Sequence, residues 1–296
     1  MQRFKDILVG VALDDYDAAV LDYAALVAFM SHADRVRFLH VRPEPLAMGG
    51  LYQEYITTFD ESATEAWQRL QEVVAQHYHG PSNADAEPAL RDGNPLAELL
   101  RMTRAEDVDL VVVGKDHNGG ALAEKLARKA PCSVLIVPDA LPERTERVLV
   151  PVDFSDHAAD AVDVAAGFAD AAGLAELHVL HVYPAPPAKL DSEQARADLD
   201  ARARRYLDEF LDGLDLGGLH AVGHLACSGD VHAAIDSQTE LLGADLVVIG
   251  TRGRTAGAAV LLGSVAERAV RAARVPTVAV KRKGATLSLL DALFKL

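Results

Sequence analysis

The chain has 296 residues, half of them hydrophobic, and a formal net charge of -15. This length predicts about two domains, each with enough apolar residues for its own core. The acidic balance argues against general nucleic-acid binding, the short apolar runs against a membrane span, and a cysteine count of two (Cys132 and Cys227) against a disulfide framework.

In chain order, a strand-like run begins almost at once with ILVGV at 7–11, so no signal peptide is expected, and the low cysteine count makes a reducing cytoplasm the natural compartment. The helical stretch SATEAWQRLQEVVAQHYH, 62–79, sets Trp67, Leu70, Val74 and His77 on one stripe. Further apolar runs follow, DLVVVG at 109–114 and VLIV at 134–137, before the proline- and charge-rich PDALPERTER, 138–147, which reads as a linker. Beyond it the pattern starts again. VLVPVDFSD at 148–156 resembles ILVGVALDD at 7–15, and LHVLHVYPAP at 177–186 resembles VRFLHVRPEP at 36–45, both with an offset of 141. ADLVVIG at 244–250 follows VDLVVVG at 108–114 with an offset of 136, and VPTVAVKR at 275–282 pairs with PCSVLIVP at 131–138. Between them, RADLDARARRYLDEFLDG sets Leu199, Ala203, Tyr206, Leu207 and Phe210 on one helical face.

Matches in the same order indicate two copies of one unit. Continuously apolar strands suit a parallel sheet covered on both faces, and strands alternating with helices suit right-handed crossovers. The predicted fold class is therefore α/β, with two tandem, doubly wound, open parallel-sheet domains of Rossmann-like type, about five strands each. The predicted units are 1–140, 147–283 and an amphipathic C-terminal tail, 284–296. In such sheets ligands bind outside the carboxyl ends of the strands, where strand order reverses.

GTRGRTAGAAVLLGS, 250–264, follows an apolar strand and precedes the helical SVAERAVRAAR. Small residues let the backbone approach a ligand closely, and a helix N-terminus presents unpaired N–H groups to an anion. Ser264 with Glu267 three residues on is the S-x-x-E start signal, so a simple capping box is the competing reading. Arg252 and Arg254 are nearby cations, equally compatible with solvated loop positions.

Gly250-x2-Gly253-x9-Gly263-Ser264, together with PVDFSD at 151–156 and LHV at 180–182, resembles the nucleotide-binding signature of the universal stress protein family, whose fold is like that of the adenine nucleotide alpha hydrolases. The resemblance spans the chain as a tandem pair. It implies that Asp153 faces the adenine and ribose, that Pro151, Val152 and Val182 frame the base, and that Gly250, Arg252 and Gly253 line the ribose and phosphate side. Gly263, Ser264 and Val265 would bind phosphate through backbone N–H groups. ATP is the implied nucleotide, with Mg²⁺ bridging its phosphates. The resemblance also implies an intrachain pseudo-dimer through the last strands, VLIV and VAV, and allows a homodimer of whole chains.

The first half departs from the signature. Ala12 stands where Asp153 would align. Gly114 lies 17 positions before Pro131, whereas Gly250 lies 26 before Pro276, and HNGG at 117–120 lacks a closing Gly-Ser. The first half is expected to bind ATP weakly or not at all. No nucleophile–base pair and no acidic cluster for two metals stands out, so the expected role is a stress-response regulator or scaffold with slow hydrolysis at most, acting on an unknown protein partner. A nucleotide-independent scaffold and an adenylating enzyme are the alternatives.

Other features have plainer readings. Ser155 or Asp156 suits the N-cap of the helix after PVDFSD better than Asp153 does. His220, His224, Cys227 and His232 lack compact metal-ligand spacing. His77 and His79 suit a helix C-terminus, and His40 and His181 are expected to be packed or hydrogen-bonded. In the tail, Leu287, Leu290 and Phe294 form one stripe with Leu289, Leu293 and Leu296 beside it, expected to cover the body of its own chain, with docking to a partner or a second copy as the alternative.

Overall fold

Apolar, β-branched runs form the central strands, and the stretches between them form helices. The computed structural model describes residues 4–43, 62–115, 121–139, 141, 144–186, 192–253 and 262–282. Arg254, the glycine-containing 117–120 and the tail 284–296 lie outside the described residues.

The first half runs β1 (Asp6–Val11), α1 (Asp17–Ser31), β2 (Arg35–Arg42), α2 (Ala63–His77), β3 (Asp85–Asp92), α3 (Pro95–Ala105), β4 (Leu110–Gly114), α4 (Ala121–Lys129) and β5 (Ser133–Val137). The second repeats it as β6 (Val148–Val152), α5 (Asp156–Ala171), β7 (Glu176–Tyr183), α6 (Glu193–Asp212), β8 (His220–Cys227), α7 (Val231–Leu242), β9 (Leu246–Gly250), α8 (Ser264–Ala272) and β10 (Thr277–Val280). Several helix starts carry side-chain caps that satisfy otherwise orphaned N–H groups. Ser62 and Glu65 form a capping box on α2, Asn94 with Pro95 starts α3, and Ser155 caps α5.

The strands form one ten-stranded sheet in the order β3-β2-β1-β4-β5-β10-β9-β6-β7-β8. Neighbours within each half are parallel. The halves meet edge to edge where β5 and β10 pair antiparallel, with Thr277 opposite Ile136 and Ala279 opposite Val134. These are the VLIV and VAV runs, so each half covers an edge strand that would otherwise stay open. Strand order reverses between β1 and β4 in one half and between β6 and β9 in the other.

The repeat extends to backbone detail. Left-handed residues recur at equivalent places: Leu13 (φ 62) and Phe154 (φ 65), His32 (φ 50) and Gly173 (φ 71), Asp107 (φ 53) and Gly243 (φ 60). His40 Nδ1 is bonded to Val11 O, and His181 Nδ1 to Val152 O, both at 2.9 Å. Asp109 accepts from the N–H groups of Lys5 and Asp6, as Asp245 does from those of Glu146 and Arg147.

One apolar cluster crosses the joint. Leu126, Ala127 and Ala130 at the α4 side pack in the same core as Ala266, Ala269 and Val270 of α8. Small side chains let the two helices approach closely. Two lysines then cross in opposite directions. Lys115, after β4, donates to Ala273 O at the end of α8 (2.9 Å), and Lys281, after β10, donates to Ala130 O (2.7 Å) and Arg128 O (3.1 Å) at the end of α4. Each ammonium satisfies carbonyls that have no intrahelical partner and meets the negative end of a helix dipole. Arg128 of α4 also pairs with Glu267 of α8 at 2.6 Å. Among the described residues, no helix is long and apolar enough to cross a membrane.

Candidate functional site

At the β6/β9 reversal lies a cavity of about 240 Å³. The strand ends β6, β7 and β9 supply its floor, and α7 and the start of α8 supply its sides. Pro151, Val152, Asp153, Val182, Gly250, Arg252, Gly253, Gly263, Ser264 and Val265, all singled out from the sequence, line this one cavity.

The turn after β6 aims Asp153 inward. Phe154 takes a left-handed conformation (φ 65), and its ring packs on His181 with centroids 4.2 Å apart and on Phe210 at 5.5 Å. Asp153 Oδ1 accepts from the Ser155 hydroxyl at 2.6 Å and from the Ser155 N–H at 3.1 Å. A Cβ on Gly253 would come within 2.7 Å of Asp153 Oδ2. The acidic turn and the glycine series, almost a hundred residues apart in the chain, therefore meet across the cavity. Gly250 is needed for a different reason: a Cβ there would lie 2.6 Å from His157 O in the first turn of α5.

The glycine segment is closed at its base. Gly263 N–H donates to Thr251 O at 2.8 Å, and Thr251 is tied to β10 through N–H and Oγ1 bonds to Val280 O. Gly263 then serves as N-cap of α8, with no side-chain cap bond. This corrects the capping-box reading, in which Ser264 would be the cap. Ser264 is the first helical residue and exposed, and Glu267 is drawn to Arg128. It also corrects one proposed donor, because the Gly263 N–H is engaged within the loop. The N–H groups of Ser264, Val265 and Ala266 precede the first intrahelical bond, from Glu267 N–H to Gly263 O, and these residues line the cavity. They form the arrangement in which a helix start receives an anion.

Arg252 is half-buried on the cavity wall. Burial, and then the nearby Arg252 guanidinium, hold the His157 imidazole below its ordinary pKa. Sequence reading missed the apolar wall formed by Ala158, Leu180, Ile235 and Ile249. Period-2 spacing from Val182 gives Leu180, and the helical face of α7 gives Ile235.

The histidine-rich stretch has other partners. His224 Nε2 on edge strand β8 meets His178 Nδ1 on β7 at 2.9 Å, and His232 Nδ1 lies 3.4 Å from Asp236. Among the described residues, no group of three or more His, Cys, Asp or Glu is placed to hold a metal ion.

Two doubly wound halves joined in one sheet, each with a cavity at its strand-order reversal, define an α/β protein of the open parallel-sheet class. Within that class, the Universal stress protein family model matches residues 3–138 and 144–281, and the chain belongs to this family as a tandem member. A universal stress protein of Methanothermobacter thermautotrophicus is 32% identical over 66 residues, a match covering 20% of this chain and 45% of that relative. The universal stress protein in the QAH/OAS sulfhydrylase 3' region of Thermus aquaticus is 33% identical over 134 residues, 45% of this chain and 97% of that protein. The crystal structure of a functionally unknown protein from Pseudomonas aeruginosa shares the two-half fold with a TM-score of 0.68 at 20% identity, covering 100% of this chain and 99% of that one.

Proposed function

We propose that the second half binds an adenine nucleotide, ATP with Mg²⁺ on its phosphates, and that occupancy alters a surface read by a protein partner. The observation that carries this reading is the convergence of Asp153, Gly253 and the open start of α8 on one apolar cavity. The base would lie among Val152, Leu180, Val182 and Ile235, and the ribose beside Asp153 and Gly253. The phosphates would lie against the N–H groups of Ser264, Val265 and Ala266, with Arg252 as the nearby cation. Charge-assisted hydrogen bonds of this kind contribute about 1.5–3 kcal/mol each. Asp153 is the single carboxylate among the described lining residues, so Mg²⁺ would be held mainly by phosphate oxygens and water.

The reading is one of binding and regulation rather than turnover, in a cytoplasmic setting to which two free cysteines are suited. Calorimetric titration of the full chain with ATP and with Asp153→Ala tests it. Saturable binding that weakens in the variant supports it. No heat from either protein at millimolar ATP, or equal affinity for both, counts against it.

A further inference from the structure

The first half has a cavity of its own, about 270 Å³, at the β1/β4 reversal. Its apolar walls repeat those of the other half: Val11, Leu39, Val41 and Leu99 take the places of Val152, Leu180, Val182 and Ile235. The polar fittings do not repeat. Ala12 stands in place of Asp153, Asp17 in place of Ala158, and Lys115 in place of Thr251.

Those polar groups are already engaged inside the protein. The Asp17 carboxylate, buried at the start of α1, accepts from the N–H groups of Ala12 (2.9 Å), Leu13 (2.6 Å) and Asp14 (3.1 Å). His40 Nδ1 is held by Val11 O, and Lys115 Nζ donates to Ala273 O. Asp14 Oδ1 takes the Tyr16 N–H at 3.0 Å. Among the described lining residues, carboxylates outnumber the single lysine. An anion entering it would give up water and face Asp14 and Asp17, and desolvating an incompletely paired ion is costly. An uncharged molecule faces no such penalty and gains about 25 cal/mol for each Å² of apolar surface it buries.

We propose that the first-half cavity is a second ligand site, specific for an uncharged, largely apolar molecule of one or two rings. The tandem chain would then carry two inputs of different chemistry on one sheet. The inference does not depend on the nucleotide reading of the other half.

The test uses the full chain with ¹³C-labelled methyl groups, titrated with indole and, separately, with its charged relative indole-3-acetate. The Val11, Leu39, Val41 and Leu99 methyl signals are expected to shift saturably with indole, and indole-3-acetate to bind at least about tenfold more weakly, a difference of about 1.4 kcal/mol. Val41→Trp, which fills the cavity, is expected to abolish the indole shifts, and Leu99→Phe serves if that variant does not fold. No shift of these methyls up to the solubility of indole, or equal affinity for the two compounds, overturns the proposal. The Val182 and Ile235 methyls report separately on ATP in the other cavity, so failure of one reading is not failure of the other.

Discussion

Gly250 and Gly263 belong to one sequence pattern but meet different surroundings, and the difference yields a quantitative prediction. A Cβ on Gly250 would stand 2.6 Å from His157 O and 2.9 Å from His157 C, both backbone atoms, so the end of β9 or the start of α5 must move. Such overpacking costs about 1–3 kcal/mol. At Gly263 the nearest atom to an added Cβ is Thr251 O at 3.5 Å, an ordinary contact, and φ -73, ψ 152 suits any residue. Gly263→Ala is therefore expected to fold with wild-type stability or to gain about 0.4–1 kcal/mol from a stiffer unfolded chain. Its new methyl would stand at the cavity wall beside the first N–H groups of α8, where the phosphates are proposed to lie. Displacing one charge-assisted bond there costs about 1.5–3 kcal/mol, or about ten- to a hundredfold in the ATP dissociation constant. Urea unfolding gives the stability and calorimetric titration the affinity. A folded Gly263→Ala protein that binds ATP within about twofold of the wild type would refute the placement of phosphate on α8.

Three further outcomes are expected at the joint between the halves and in its supports. Burial pushes the Lys281 ammonium down from 10.5 to about 8, so between these values the unfolded chain binds more protons and stability attributable to Lys281 rises with pH. The wild-type stability minus that of Lys281→Met should therefore climb by about 3 kcal/mol from below pH 8 to above pH 10.5, and a flat difference would remove the buried-charge account. Lys115→Met, which frees Ala273 O at the end of α8, should lower stability by about 1 kcal/mol in urea, and an unchanged midpoint would mean that the contact contributes nothing. Asp245→Ala, which leaves the Glu146 and Arg147 N–H groups without their carboxylate, should cost about 2 kcal/mol in unfolding while ATP affinity holds; a large loss of affinity would tie this residue to the site.

Much of this architecture is legible before any coordinates, because a buried parallel strand must be apolar on both faces and the repeat prints that demand twice. The runs at β1, β4, β5, β6, β9 and β10 are of this kind. Edge strand β3 is harder to see: its sequence DAEPALRD carries Pro88, and none of its residues is fully buried, so packing imposes no pattern on it. The pairing of β5 with β10 follows from the family resemblance, not from the residues, since an edge strand and a central strand look alike when both end up covered. In the site, glycines and Asp153 stand out because backbone approach and charge demand particular residue types. Leu180 and Ile235 do not, because an apolar side chain facing a ligand has the same composition as one facing the core. The true N-cap was hidden for another reason. Ser264-x-x-Glu267 satisfies the local capping rule, but Glu267 is claimed by Arg128 from the other half, a contact that no local window contains.

The central claim is that the start of α8 is the phosphate receptor of the chain. Its most direct test is an amide NMR titration of the full protein with ATP, read against the calorimetric stoichiometry. The account predicts saturable shifts at the Ser264, Val265 and Ala266 amides, absent when adenosine replaces ATP, with one nucleotide bound per chain. Unmoved amides at these residues while ATP binds elsewhere, or two equivalent nucleotides per chain, would contradict it.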